Sequence, residues 1–214
     1  MNIERYISNY LQSNMYIISE EYEGRKSGIL IDPSEMQIDL GFNVDYIILT
    51  HEHYDHISGV NYWKEQTGAK AIGSYACKLA ALNAKKNMSH YFASFCELQT
   101  WVKIESDIET VDDYNCEIDE GFLEDTTIDW QGHKIHLFSS PGHSPGSIGI
   151  LIDDAILFSG DSLIKDFPTE CRFPGGSREK WYEESSKKYL ELNCNIIVYP
   201  GHFESFLLKD YVLL

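Results

Sequence analysis

An apolar segment that ends in a cluster of histidines constrains the fold of this chain most strongly. Residues 44–49 read Val-Asp-Tyr-Ile-Ile-Leu, and residues 50–59 continue as Thr-His-Glu-His-Tyr-Asp-His-Ile-Ser-Gly. The solid apolar character of the first segment predicts a central strand, in a sheet that is covered on both faces. That strand leads into a loop with four candidate metal ligands within six residues. They are His51, His53, Asp55 and His56.

Imidazole and carboxylate groups are ligands that zinc and similar divalent cations prefer, and this spacing lets one loop serve more than one ion. The alternative interpretation is a polar strand end with unrelated histidines. Three of the chain's eight histidines lie in this one loop, which favours a metal site. The zincin helix motif does not apply, because Asp55 stands where its second His would be.

Length and charge limit the remaining possibilities. The 214 residues suit one α/β domain over 1–214, and 43% hydrophobic with 13% aromatic residues predicts a folded chain. A net charge of -17 argues against nucleic acid and anionic membranes as partners, because both attract basic surfaces. We therefore expect a small-molecule substrate. The sequence does not indicate an oligomeric state.

The cysteines indicate a reducing compartment. Their number, five, is odd, they are widely spaced, and none forms a Cys-x-x-Cys pair. With no apparent export signal and no apolar run of about 18 residues, the expected location is the cytoplasm. The cysteines are Cys77, Cys96, Cys116, Cys171 and Cys194.

Hydrophobic patterning predicts strands and helices that alternate in the first half of the chain, which indicates α/β architecture. The predicted strands are 2–7, 14–19, 29–31, 44–49 and 69–73, and the predicted helices are 34–40, 57–67 and 74–84. The second half is richer in strands. They are predicted over 126–130, 133–139, 147–152, 155–158 and 195–199, with a helix over 179–192. Gln131-Gly132 and Asp153-Asp154 mark hairpin turns.

Residues 85–125 are not assigned from the sequence. Their acidic run predicts a solvated surface. The aromatic residues 90–92 offer an alternative, in which this long connection covers one side of a binding site.

Three more candidate ligands follow predicted strands in the second half. His143, Asp161 and His202 each lie in or after a glycine-containing turn at a strand end. Loops on a rigid scaffold commonly carry chemistry, although each residue alone is weak evidence. With the first cluster they make seven ligands, enough for two metals that share a carboxylate and keep open positions for water.

The ordered motifs identify a family resemblance. Residues 50–56 read Thr-His-x-His-x-Asp-His, residues 141–147 Pro-Gly-His-Ser-Pro-Gly-Ser, residues 159–161 Ser-Gly-Asp and residues 199–202 Tyr-Pro-Gly-His. This set resembles the metallo-β-lactamase superfamily, and within it the glyoxalase II-like (hydroxyacylglutathione hydrolase-like) hydrolases. The resemblance implies a mixed α and β fold, a four-layered αβ/βα sandwich with metals at the edge of two facing sheets.

The resemblance also assigns roles. It implies two Zn²⁺, with iron or manganese as alternatives: His51, His53 and His143 bind the first, Asp55, His56 and His202 the second, and Asp161 bridges. A hydroxide held between the metals would attack a small thioester or ester, and Asp55 would also steer the proton of the water. His56 and Asp161 match glyoxalase II-type hydrolases rather than β-lactamases with Arg or Cys near these positions.

Two further residues receive roles outside the ligand set. Asp32 resembles the family's buried aspartate that orients a ligand histidine, with a simple Asp-Pro turn as the alternative. Only residues 203–214 follow the last ligand, where glyoxalase II has a helical region that helps to bind glutathione, so glutathione specificity is in doubt. Arg172, in the loop 169–177, is the candidate for binding an anionic substrate group, and a surface salt bridge is its alternative role.

Other members of this superfamily provide competing functions. A persulfide-dioxygenase-like oxidoreductase would use a single iron on His51, His143 and Asp161. A lactonase or an RNase Z-like phosphodiesterase would use the full ligand set, but the charge of -17 opposes RNA binding. A non-catalytic relative is disfavoured because every expected ligand is present.

Overall fold

A computed structural model describes residues 1–98 and 110–212 of the chain. These residues form two six-stranded sheets with short helices on their outer faces. The first sheet contains, in spatial order, β1 (Asn2–Ile7), β2 (Asn14–Tyr22), β3 (Arg25–Ile31), β4 (Asn43–Ile48), β5 (Lys70–Ser74) and β6 (Glu120–Phe122). Strands β1 to β3 are antiparallel neighbours, whereas β3 to β6 run parallel. Parallel strands end at one edge of a sheet, so the loop after β4 opens at that edge.

In the second sheet, too, strands that are consecutive in the chain are neighbours in space. This sheet contains β12 (Phe206–Leu207), β11 (Ile197–Pro200), β10 (Ile156–Gly160), β9 (Ile148–Ile152), β8 (His133–Ser139) and β7 (Thr126–Trp130). Strands β10 and β11 are parallel, and the other neighbours are antiparallel. The ends of β8, β10 and β11 therefore share one edge.

Helices cover the outer faces of both sheets. Beside the first sheet are α1 (Tyr54–Ile57), α2 (Val60–Thr67), α3 (Tyr75–Ala81) and α4 (Phe92–Leu98), with a 3₁₀ turn at Ser89–Tyr91. Beside the second are α5 (Arg178–Lys180) and α6 (Ser186–Leu190), joined by a π turn at Trp181–Ser185. A 3₁₀ turn at Leu208–Asp210 follows β12.

Three apolar clusters define four layers. The central one joins the inner faces of the two sheets, for example Ile29 and Ile48 with Leu137 and Ile150. Two outer clusters pack the opposite faces against helices, and Ile47 belongs to one of them. Because neighbouring residues in a strand point to opposite faces, Ile47 and Ile48 bury both sides of β4. The predicted αβ/βα sandwich is confirmed.

The predicted hairpin turns are also confirmed. Gln131 and Gly132 have φ values of 49° and 80°, and Asp153 and Asp154 have values of 50° and 53°. Two consecutive positive φ angles are the requirement of a type I′ turn, which matches the twist of paired strands.

The predicted helix over 34–40 is wrong. Ser8 Oγ and the backbone N–H of Asn9 donate hydrogen bonds to the Glu35 carboxylate, at 2.6 and 2.8 Å. The N–H of Gly59 donates to the carbonyl of Pro33 at 2.9 Å. These contacts with distant segments replace the hydrogen bonds that a helix would have made.

Two predicted helices are interrupted, and the predicted helix 74–84 is shorter in the structure, at Tyr75–Ala81. The predicted helix 57–67 is interrupted at Gly59, where a Cβ atom would lie 1.8 Å from the carbonyl oxygen of Ser34. The predicted helix 179–192 contains the π turn at Trp181–Ser185. In the part of the chain described, no helix has the length and apolar character needed to cross a membrane. All five cysteines have free thiols.

Residues 85–125 are partly described. The ring of Phe92 is 3% exposed and packs edge-on against Tyr10 and Tyr54, so it belongs to the core and not to a binding site. Residues 99–109 of this segment lie outside the described residues.

Candidate metal centre

All seven predicted ligands lie at one edge of the two sheets. The loop after β4 provides His51 and His53, α1 provides Asp55 and His56, and the turn between β8 and β9 provides His143. Asp161 directly follows β10, and His202 follows β11 by two residues. The shared edge follows from strand direction, since each of these strands ends there. The topology therefore brings together residues that are up to 151 positions apart in the sequence.

Glycines before two ligands allow these strand ends to approach closely. Gly160 has a φ of 51°, and a Cβ atom there would lie 2.4 Å from Thr50 Oγ1. A Cβ atom at Gly201 would lie 2.1 Å from an Asp161 carboxylate oxygen. Only glycine fits both positions without a shift of the neighbouring ligand loop.

The first trio consists of His51, His53 and His143. One nitrogen from each ring lies within 4.8 Å of the others, and the ring centroids are 4.7 to 4.9 Å apart. All three side chains are buried. Burial lowers the pKa of each imidazole, and that of His53 falls to about 3. This trio therefore presents neutral nitrogen donors at neutral pH.

The second trio consists of Asp55, His56 and His202. Asp55 Oδ2 lies 3.4 Å from Nε2 of each histidine. Burial alone would lower the pKa of His56, but Asp55, Asp161 and Asp32 together raise it to about 9. The same two carboxylates of Asp55 and Asp161 outweigh burial at His202 and raise its pKa well above the usual value. Metal binding must displace these protons.

Asp161 lies between the two trios. Its Oδ2 is 3.5 Å from His143 Nε2 in the first trio and 3.5 Å from His202 Nε2 in the second. Its Oδ1 is 3.5 Å from His56 Nε2. Burial would raise the pKa of this carboxyl group, but His202 and His56 outweigh burial and hold it well below its usual range. Asp161 therefore remains ionised in a position where it faces ligands of both trios.

Backbone carbonyls fix the orientation of two ligand rings. His143 Nδ1 lies 2.7 Å from the carbonyl oxygen of Glu170, and His202 Nδ1 lies 3.1 Å from that of Leu11. A carbonyl can only accept a hydrogen bond, so the proton is on Nδ1 in each ring. With His202 neutral, both Nε2 lone pairs face the cluster, as metal ligation requires.

Asp32 supports the second trio from behind. It is 2% exposed, and its carboxylate accepts hydrogen bonds from the N–H and Oγ1 of Thr50, at 2.7 and 2.6 Å. Its Oδ2 also lies 3.3 Å from His56 Nδ1. Asp32 could itself join His51 and His56 as a ligand, but its oxygens are already engaged by Thr50. Its position suits the orientation of His56.

The residues present fit bound divalent cations. Within residues 1–98 and 110–212, three histidine Nε2 atoms are buried without a hydrogen-bond partner: those of His51 and His53 in the first trio and that of His56 in the second. A buried polar atom without a partner costs about 1–3 kcal/mol, so natural proteins rarely leave several together. Imidazole nitrogens and carboxylate oxygens are suitable donors for zinc and for iron. A cation near each trio would satisfy them.

Glu52 is a residue that sequence reasoning missed. It is 1% exposed, and burial raises the pKa of its carboxyl group. Its Oε2 accepts a hydrogen bond of 2.9 Å from Ser144 Oγ, which itself lies 2.9 Å from Ser147 Oγ. Glu52 thus ties the loop of His51 and His53 to the turn that carries His143. The available signal was its position between two ligands on an extended loop, where it must face the opposite side.

Phe173 was also missed, although its loop was identified. Its ring centroid lies 5.4 Å from that of His53 and 5.6 Å from that of His143. In the same loop, the Arg172 side chain is 78% exposed and pairs with the Glu170 carboxylate, with Nε to Oε1 at 2.8 Å. This is the surface salt bridge that was the alternative interpretation of Arg172 from the sequence. Contact of Arg172 with a substrate stays a prediction.

Comparisons with known proteins agree with the geometry. Hydroxyacylglutathione hydrolase GloC of Haemophilus influenzae is 27% identical over 215 residues, covering 94% of this chain and 91% of that protein. The crystal structure of BLEG-1 B3 metallo-beta-lactamase has a TM-score of 0.76 at 20% identity, covering 98% of this chain and 95% of that one. TTHA1623 in a di-iron-bound form has a TM-score of 0.73 at 22% identity, covering 96% and 95%.

The model of the metallo-beta-lactamase superfamily matches residues 9–202, which include every predicted ligand. This match spans most of the chain and agrees with the resemblance read from the motifs. The chain therefore belongs to the metallo-beta-lactamase superfamily.

Proposed function

We propose that this chain is a binuclear zinc-dependent hydrolase, similar to glyoxalase II, that cleaves a small thioester or ester. The observation that carries the proposal is the pair of buried ligand trios with Asp161 between them. The similarity to a hydroxyacylglutathione hydrolase over 94% of this chain supports the same reaction class. Iron or manganese are alternative metals, and TTHA1623 is a relative in fold with a di-iron form.

The ligand charges suit this chemistry. Two divalent cations bring four positive charges, and Asp55 and Asp161 supply two negative ones, so the loaded centre keeps a net charge of about +2. Bound divalent cations lower the pKa of a water molecule and polarise a carbonyl oxygen. The excess positive charge stabilises the negative charge that develops on the carbonyl oxygen and on the leaving group.

Protein groups other than the metals have positioning roles. His143 and His202 are fixed by the carbonyls of Glu170 and Leu11, so their ligand atoms need no reorientation. Asp55 lies 3.4 Å from two ligand nitrogens of its own trio, and its ionised carboxylate can accept a hydrogen bond from a water at the centre. This is the role in which we propose Asp55 as a catalytic residue.

A persulfide-dioxygenase-like iron enzyme is the main alternative. It would need only His51, His143 and Asp161 as ligands, which would leave the second trio without a role. That trio is as buried as the first. Asp32 also lies 3.3 Å from His56 Nδ1, a position that suits the orientation of His56 as a metal ligand. These observations favour the binuclear hydrolase.

Hydrolysis by the zinc-loaded chain tests the proposal. A panel would contain a glutathione thioester, an N-acetylcysteamine thioester, an aryl ester, a lactone and bis(p-nitrophenyl) phosphate. Turnover of a thioester or ester that disappears in Asp161→Ala supports the proposal. Turnover of the phosphodiester alone, or oxygen consumption with a persulfide in place of hydrolysis, would overturn it.

A further inference from the structure

Aromatic side chains flank the ligand cluster on the side of the first trio. The ring of Phe173 packs edge-on against His53 and His143, with centroid distances of 5.4 and 5.6 Å. Phe95 on α4 packs edge-on against Phe173 at 5.4 Å. A half-buried phenyl ring in contact with two ligand imidazoles leaves an apolar surface beside the reacting centre.

A second aromatic pair lies on the side of the second trio. Phe203 directly follows His202, and their ring centroids are 6.4 Å apart. Its ring stacks on Phe167 at 5.3 Å with an interplanar angle of 6°. Phe203 has a φ of 66°, in the left-handed region that a bulky residue rarely adopts. The backbone is thus strained where it places this ring beside a ligand.

These four phenylalanines form the aromatic rim of the site: Phe95, Phe167, Phe173 and Phe203. Phe167 and Phe203 are 51% and 43% exposed. Exposed phenylalanines stacked on each other beside a polar cluster are characteristic of binding surfaces. The rim therefore offers apolar contacts on both sides of the position where a substrate carbonyl would be bound.

The arginines beside the rim are paired with carboxylates. Arg172, next to Phe173, forms its ion pair with Glu170. Arg5 donates to the carbonyl oxygen of Phe203 and to the Glu204 carboxylate. Each guanidinium charge is therefore already balanced by a carboxylate, which weakens its attraction for an anionic substrate. With a net charge of -17, the chain also repels polyanions at long range.

We propose that the substrate of the hydrolase has an apolar acyl group, aromatic or branched, that packs against the rim at Phe173. This inference rests on the proposed function and specifies its substrate class. Hydrolysis of such a thioester adds the oxygen of water to the carbonyl carbon and breaks the carbon–sulfur bond. The products are a carboxylate, a proton and a free thiol. A glutathione moiety, with two carboxylates, is disfavoured as the leaving group.

The kinetic test uses thioesters of one thiol. Acetyl, butyryl and phenylacetyl N-acetylcysteamine are compared by kcat/KM in the zinc-loaded chain. The free energy of contacts with the ring scales with the buried apolar area. The kcat/KM of the phenylacetyl thioester should therefore exceed that of the acetyl thioester by at least about tenfold. Phe173→Ala should reduce that ratio by roughly tenfold, and Phe173→Leu should restore part of it. Equal values for all three thioesters would overturn the proposal.

A matched control lies at the opposite sheet edge. Tyr22 is an aromatic residue, 46% exposed, at the hairpin between β2 and β3. Tyr22→Ala should leave the phenylacetyl to acetyl ratio unchanged. A similar loss of selectivity in Tyr22→Ala would contradict a specific role for the rim.

A binding measurement separates failure of this inference from failure of the proposed function. Phenylacetate and acetate are titrated calorimetrically into the zinc-loaded chain, which requires no turnover. Phenylacetate should bind at least about tenfold more tightly, and Phe173→Ala should remove the difference. If that preference is present without thioester hydrolysis, the apolar binding site is supported and the proposed reaction is wrong. If hydrolysis occurs without any preference, the reaction stands and the substrate class is wrong.

Discussion

The two ligand trios use different physical means to bind a cation. The first trio, His51, His53 and His143, consists of imidazoles that burial keeps neutral. The second trio contains Asp55 and two histidines whose pKa values are raised by nearby carboxylates. The first therefore offers lone pairs without charge. The second offers charge balance, and its histidines must lose protons when a cation binds.

The trios also depend on different supporting segments. His143 is fixed by the carbonyl of Glu170, whereas His202 is fixed by that of Leu11 near the start of the chain. Asp161 faces both trios, with Oδ2 3.5 Å from His143 Nε2 and from His202 Nε2. Each trio can therefore be weakened separately, while loss of Asp161 removes a carboxylate that faces both. Four groups of substitutions test this difference, beginning with the largest expected effect.

Asp161→Ala should have the largest effect. It removes the carboxylate that faces three ligand histidines, and with it one of the two negative charges that offset the charge of the cations. We expect loss of the second metal and a fall in kcat/KM of at least about 10³-fold, which corresponds to several kcal/mol. Elemental analysis and hydrolysis assays measure both effects. Unchanged metal stoichiometry would contradict the position assigned to Asp161.

Substitution of one histidine in each trio comes next. His53→Ala and His202→Ala should each lower the metal content from two ions to one, with activity reduced by about 10²–10³-fold. His90 is a matched control, because its side chain is 43% exposed and belongs to neither trio. His90→Ala should keep full metal content. If the control lost metal, the ligand set would be incomplete.

Asp32→Asn should selectively weaken the second trio. The amide keeps the shape of the side chain but removes the negative charge 3.3 Å from His56 Nδ1. Loss of such a supporting group lowers metal affinity by roughly 10–100-fold. Competition with a chelator should show reduced affinity for one ion and unchanged affinity for the other. An equal loss of affinity for both ions would show that Asp32 supports the whole centre.

Glu52→Gln should have the smallest effect, confined to the first trio. The amide oxygen can still accept the hydrogen bond from Ser144 Oγ, so the link between the two ligand loops remains. Only the charge behind His51 and His53 is lost, and affinity should fall by less than about tenfold. Glu52→Ala removes the link as well and should have a larger effect. Reduced affinity for the ion of the second trio in either variant would contradict this assignment.

The ligand set could be predicted because each ligand has a local signal. His51, His53, Asp55 and His56 follow one apolar strand, and glycine-containing turns precede the other three ligands. Parallel strands then bring these ends to one edge. The alternation of strands and helices indicated α/β architecture, whereas the order of the four layers was implied by the family resemblance.

Contacts between distant segments could not be predicted in the same way. Glu52 meets Ser144 across 92 positions, and nothing in either segment indicates this partner. Phe173 reaches His53 only because the loop after β10 folds back over the cluster. The predicted helix over 34–40 failed for a similar reason, since Glu35 bonds to Ser8 and Asn9 instead. Local secondary-structure propensity does not predict contacts between distant segments.

Metal identity and stoichiometry, measured by elemental analysis of the chain purified without chelator or added metal, test the two-trio centre most directly. The two complete trios predict close to two zinc ions per chain, with one ion lost in His53→Ala and in His202→Ala. A single iron per chain, unaffected by His202→Ala, would contradict the binuclear centre and favour the mononuclear oxidoreductase.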